Sequence, residues 1–230
     1  MLRRSPTPCG FFLKPIVFFF TFLVILSLIR IAFFMEFRTG DFGWKDFLPA
    51  FWMGIRIDAK WLATLILPAW FFWLMSAKWP KAKKWAEALG LIAGGLMVLL
   101  GFVNIEFFRF YGTPISAVIF GLFQDDTQAI IKTVLSDWPI LPYFGIFLAA
   151  MAVPVILTAL IPAAGPGKDA ADFNWRTKGN LISAVVLTIL LLLILRGSLG
   201  KFPLRFQSLS VSPHVFINQC VPNGALDVIL

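Results

Sequence analysis

Charge is the first thing this sequence is short of. Asp, Glu, Lys and Arg make up 14% of its 230 residues, against about a quarter in a soluble domain. With 59% of the chain hydrophobic and a mean hydropathy of +0.85, a water-soluble fold is excluded. Histidine is almost missing. The single copy, His214 in Ser210-Val-Ser-Pro-His-Val-Phe216, has no nearby Cys or carboxylate and is read as a surface residue. Cysteine is scarce too: Cys9 and Cys220 stand alone, neither at metal-ligand spacing from another donor. The topology argued below puts them on opposite sides of a membrane, so no disulfide framework is expected and both read as inert thiols. There is no Gly-rich phosphate loop, no paired-carboxylate site, no internal repeat and no low-complexity segment. The expected catalytic residues are therefore none.

What the chain does have is long apolar runs and many aromatics, 26 Phe and 9 Trp, suited to lipid-facing and interfacial positions. Five runs approach the ~20 residues that cross a bilayer core: Ile16–Met35, Ile57–Ser76, Ala88–Phe108, Ile140–Ile161 and Leu181–Leu195. Arg3, Arg4 and Lys14 precede the first run as they would a signal peptide. It is too long for one, and no small-residue cleavage pattern follows Met35. Arg30, near its far end, is expected to snorkel to the boundary. Residues 36–60 are mixed in character and read as an interfacial stretch rather than a crossing. Gly90, Gly94, Gly95 and Gly101 in the third run permit close helix approach. Pro154 predicts a kink inside the fourth. Residues 113–138 divide into an apolar half, Pro114–Phe123, and an amphipathic half, Asp125–Trp138, each too short to span. The predicted fold class is an all-α integral membrane five-helix transmembrane bundle, with an interfacial or re-entrant segment between helices 3 and 4.

The net charge is +8. Its excess lies in short loops, so orientation and anionic lipid explain it without nucleic acid. Arg3, Arg4 and Lys14, then Lys78, Lys81, Lys83 and Lys84, then Lys168, Arg176 and Lys178 fall on one side. The other side carries Asp125, Asp126 and Asp137. The positive-inside rule then gives N-in and C-out. On that topology Arg30, Glu36, Arg38, Arg56, Asp58, Lys60, Glu106, Arg109 and Arg196 share the outer face. Charges so near hydrocarbon must pair or meet a ligand. One reading is snorkelling with ion pairs such as Arg56 with Glu106. The other is a pocket for an anionic lipid head group built from Arg56, Asp58, Glu106, Arg109 and Arg196, since the Arg fork grips two phosphate oxygens.

Gly54-Ile-Arg56-Ile-Asp58, the Glu106–Tyr111 stretch, Arg196-Gly-Ser-Leu-Gly-Lys-Phe-Pro-Leu-Arg205 and the tail Ser210–Gln219 resemble the N-terminal membrane domain of lipoteichoic acid synthase-like proteins. These are phosphoglycerol transferases of the sulfatase-like superfamily, and the resemblance covers nearly the whole chain. It implies domains at 1–195 (five spans) and 196–230 (an extracytoplasmic linker to a sulfatase-like domain absent from this sequence). In the family that domain holds a threonine nucleophile and a manganese-type divalent ion, and moves glycerol phosphate from phosphatidylglycerol to a growing polymer or glycan. No nucleophile or metal ligand carries over to a residue here, so this chain is expected to need no cofactor and to be inactive alone. Its expected partners are membrane lipids, phosphatidylglycerol among them, and a separate or missing sulfatase-like domain. A structural membrane subunit and a small transporter are the alternatives; the charge-free interiors of the fourth and fifth runs speak against the transporter.

Overall fold

The computed structural model describes residues 9–115, 140–161, 175, 177–198, 200, 203–204, 209–222 and 224. Their regular structure is helical: α1 (Cys9–Phe37), α2 (Trp44–Met75), α3 (Ala82–Tyr111), α4 (Ile140–Leu160), α5 (Lys178–Arg196) and the short α6 (Val215–Gln219). The first five are long and apolar enough to cross a membrane. At 1.5 Å per residue even α5, with 19 residues, is about 28 Å long, close to the ~30 Å hydrocarbon thickness. The segment 113–138, read from sequence as re-entrant or interfacial, falls largely outside the described residues.

The helix ends follow local chemistry. Asp46 accepts a hydrogen bond from the Gly43 amide at 2.9 Å, and its carboxylate sits in the first turn of α2, where the helix dipole favours negative charge. Gly112 and Gly197 end α3 and α5 in the left-handed conformation, at φ 67° and 71°. A side chain there would be strained.

α2 corrects one expectation. The mixed stretch before Ile57 is not separate from the second span: a single helix of 32 residues runs from Trp44 to Met75, through Pro49 and Pro68. Its length, about 48 Å, exceeds the hydrocarbon by several turns. An amphipathic beginning and an apolar crossing therefore share one rod. Likewise α3 starts at Ala82, before the apolar run does, because Lys83 and Lys84 are good helix formers.

Short connections make α1, α2 and α3 antiparallel neighbours, and these three supply the core. The central layer packs Phe19, Phe22 and Leu26 of α1 against Leu62 and Ala63 of α2 and Met97 and Val98 of α3. Gly94 is required there, since a β-carbon at that position would enter the Phe22 ring. α4 lies against α1 and α3, and α5 against α2. Most of their large apolar side chains, such as Leu141, Phe144, Ile182 and Leu192, are exposed. Water would disfavour that surface and lipid does not. The chain is a multi-pass membrane protein.

The ends of α1, α3 and α5 and the start of α2 meet at one face. The segment after α5 returns to it: Ile217, Cys220 and Val221 are buried among Phe33, Phe34, Phe47, Ala50, Ile57 and Ile105. Residues 209–222 thus pack onto the bundle, which a free linker would not do. We refer to this end as the tail face.

Candidate functional site: the polar layer beneath the tail

Arg30 is the most enclosed cation among the described residues. It sits in the buried stripe of α1 (Phe22, Leu26, Arg30, Phe33), whose spacing of three to four residues holds one helix face. Its Nη2 donates to Asp58 Oδ2 of α2 at 2.7 Å, and the two side chains are only 3% and 0% exposed. Snorkelling is therefore corrected: an inward-facing stripe leaves the guanidinium no route to the boundary, and a carboxylate on the next helix meets it instead. Gly54 makes the space, since a β-carbon there would overlap the guanidinium. Arg30 Nε and Nη1 are buried without a hydrogen-bond partner. They adjoin a cavity of about 20 Å³ that Asn104, Cys220 and Gly224 also line, room for one water-sized group.

α2 sends its other charges elsewhere. Arg56 and Lys60 are four residues apart and share a face, while Asp58 lies about 200° round the helix from Arg56. Arg56 Nη2 donates to the Gly197 carbonyl at 3.0 Å, and Lys60 Nζ to the Leu204 carbonyl, also at 3.0 Å. Arg196 Nη2 donates to the Gly200 carbonyl at 2.7 Å. These three cations fasten the chain that leaves α5.

At the rim, Arg109 joins α3 to α1. It pairs with Glu36 at 3.1 Å and with Glu106 on its own helix. Arg109 and Glu36 are 42% and 52% exposed, while Glu106 is 6% exposed. The tail holds itself together through Asn218, whose Oδ1 accepts from the Val211 and Ser212 amides, both at 2.9 Å. Its Nδ2 donates to the Ser212 carbonyl at 2.8 Å. Asn104 Oδ1 receives the Ile115 amide at 2.8 Å. Burial pushes the Cys220 thiol up to about 12, although the Arg30 charge pulls the other way. At neutral pH it stays an unreactive thiol. His214 is exposed, its ring edge-on to Phe42 at 5.2 Å.

Of the five residues singled out for a lipid head group, Arg56 and Arg196 are brought together around the α5 exit. Glu106 and Arg109 form a second group with Glu36. Asp58 is separate, enclosed with Arg30. The Arg56–Glu106 pair anticipated from sequence does not form: Glu106 faces Arg109 and Arg56 faces a carbonyl. Sequence reasoning missed the inward role of Arg30, although the stripe at 22, 26, 30 and 33 carried the signal. It also missed Gly54, Asn104 and Asn218, whose roles depend on segments distant in the chain.

Fold and site together define an all-helical multi-pass membrane protein with its polar groups gathered under one capped face. No protein-family model, no curated protein and no solved structure matches this chain. Among the described residues no three of His, Cys, Asp and Glu converge, so no step is routed through a metal here.

Proposed function

We propose that the chain is the membrane part of a lipoteichoic acid synthase-like, sulfatase-family phosphoglycerol transferase. It lies N-in and C-out in a bacterial-type plasma membrane and presents an anionic lipid, phosphatidylglycerol, at the tail face. The observation that supports this most is the clamp: Arg56 and Lys60 hold the carbonyls of Gly197 and Leu204, and α6 is docked on α2. Such a mount gives whatever follows the tail a defined position over the bundle. A lipid held at the same face would meet it in a defined pose, as transfer chemistry requires.

Burial divides the work among the candidate residues. Asp58 and Glu106 are enclosed and act by orienting Arg30 and Arg109. Arg109 is the part-exposed cation at the rim and the first choice for a phosphate, with Arg196 and Arg56 beside the α5 exit. Binding would exchange the exposed Glu36 carboxylate on Arg109 for phosphate, a modest loss because exposed pairs contribute about 0–1 kcal/mol.

The test is retention of phosphatidylglycerol against phosphatidylcholine in mixed nanodiscs. Arg109→Gln is expected to weaken phosphatidylglycerol retention about tenfold, measured well below the variant's own melting temperature, which should fall because the enclosed Glu106 loses its cation. Arg109→Lys should not restore it, because a point charge cannot reproduce the two-pronged grip. Retention that is unchanged in both variants overturns the proposal.

A further inference from the structure

The end of the bundle opposite the tail face holds a cavity of about 350 Å³ between α1, α2, α3 and α4. Its volume falls in the range of small-molecule sites. Nothing in the proposed transfer role uses it. Phe18, Trp70 and Trp73 supply its aromatic walls, and Gly90 gives it depth, since a β-carbon there would press on Phe18. The polar atoms of these walls are satisfied elsewhere. Trp70 Nε1 donates to Thr188 Oγ1 at 3.1 Å and Trp73 Nε1 to the Phe11 carbonyl at 3.2 Å. Thr158 Oγ1 bonds back to the Pro154 carbonyl at 2.7 Å. The interior therefore offers apolar contact, which water fills poorly. Its α4 rim, Val155 and Ala159, is exposed, so the cavity reaches the bundle's lipid-facing flank.

Two charged residues stand at it, Lys14 and Glu87. Among the described residues neither has an ion-pair partner. Lys78, Lys81, Lys83 and Lys84 lie in or beside the α2–α3 turn at the same end. Among the described residues at this end, cations therefore outnumber the one carboxylate, Glu87. Lys14 is in the second turn of α1, and Trp73 is in the last turn of α2. That is the level at which ammonium groups and indoles meet lipid head groups.

We infer that this cavity is a seat for one anionic phospholipid of the leaflet at that end, with an acyl chain along Phe18, Trp70 and Trp73 and the head group at Lys14. The pairing follows from chemistry: hydrocarbon is the solvent at the rim, Lys14 stands at the cavity, and the described charges at this end are mostly basic.

Native mass spectrometry of the full chain with dioleoyl-phosphatidylglycerol tests the inference. Ala159→Phe, which plugs the rim, should lower retention at this site at least tenfold at an unchanged melting temperature. Lys14→Gln should keep a lipid but reduce the preference for phosphatidylglycerol over phosphatidylcholine to what the tail face alone supplies. Full retention in Ala159→Phe, or an undiminished preference in Lys14→Gln, overturns the inference. A second readout needs no plug. Phosphatidylglycerol brominated on its acyl chains should quench tryptophan fluorescence, and the quenched fraction should shrink in Trp70→Phe and Trp73→Phe. Equal quenching in those variants also overturns it. Failure here is distinguishable from failure of the transfer reading, because Arg109→Gln acts at the tail face and Ala159→Phe at the opposite one.

Discussion

Arg30→Met takes the guanidinium away from a carboxylate that is 0% exposed, and is therefore expected to destabilise the protein by about 3–5 kcal/mol, the cost of breaking a buried ion pair by removing one member. Arg30→Met combined with Asp58→Leu should recover most of that loss, since two apolar groups of similar size need no partner. Denaturation of both variants in detergent checks it, and a double variant no better than the single one would contradict it. Half of this pair was legible in the chain. The stripe Phe22, Leu26, Arg30, Phe33 says that Arg30 faces inward. It does not say which acid meets it, because Asp58, Glu36 and Glu106 were all within reach of the same membrane boundary. Gly54 decides it by leaving room for the guanidinium beside α2.

Among the elements, the tail is the one that sequence reading placed least well. Its Gly, Pro and Ser content reads as a linker, yet Phe216, Ile217 and Val221 dock on the core. Lys60 and Arg56 hold the chain that leads into it, and Asn218 braces the tail internally. Cys220 reports on this docking, because it is buried only while the tail is seated. Asn218→Ala removes the acceptor for two amides and a donor to the Ser212 carbonyl. Maleimide labelling of Cys220 at pH 8 should then run at least tenfold faster than in the parent, with the bundle's helix content unchanged. Lys60→Met should act in the same direction. An unchanged labelling rate in both would show that the tail is held by apolar contacts alone. α2 teaches the complementary lesson. Its start at Trp44 is written in the Gly43 and Asp46 spacing, but mixed composition concealed that the same helix continues through Pro49 into the second span.

At the scale of the whole molecule, antiparallel α1 to α3 and the return of the tail put the Phe37, Trp44, Tyr111 and Arg196 ends together. The direction in which this body lies in a membrane is a matter of its basic segments. With Lys78, Lys81, Lys83 and Lys84 at the α2–α3 turn, the positive-inside rule predicts that reporters fused at Pro80 and Gly167 sense the cytoplasm and those at Gly112 and Pro213 the outside. A cytoplasmic signal at Pro213 would reverse the orientation and with it the proposed presentation of lipid. The five spans themselves needed no structure to find. Length and hydropathy of a continuous run are properties of the chain alone, and the bilayer thickness they must match is constant. What only the tertiary structure decided is who meets whom: Arg30 with Asp58, Arg109 with Glu36, Arg56 with the Gly197 carbonyl, and a tail seated on the core. Those partners come from segments far apart in sequence, and their choice depends on the rotation and depth of each helix. Packing against neighbours sets both, and a hydrophobic run by itself specifies neither.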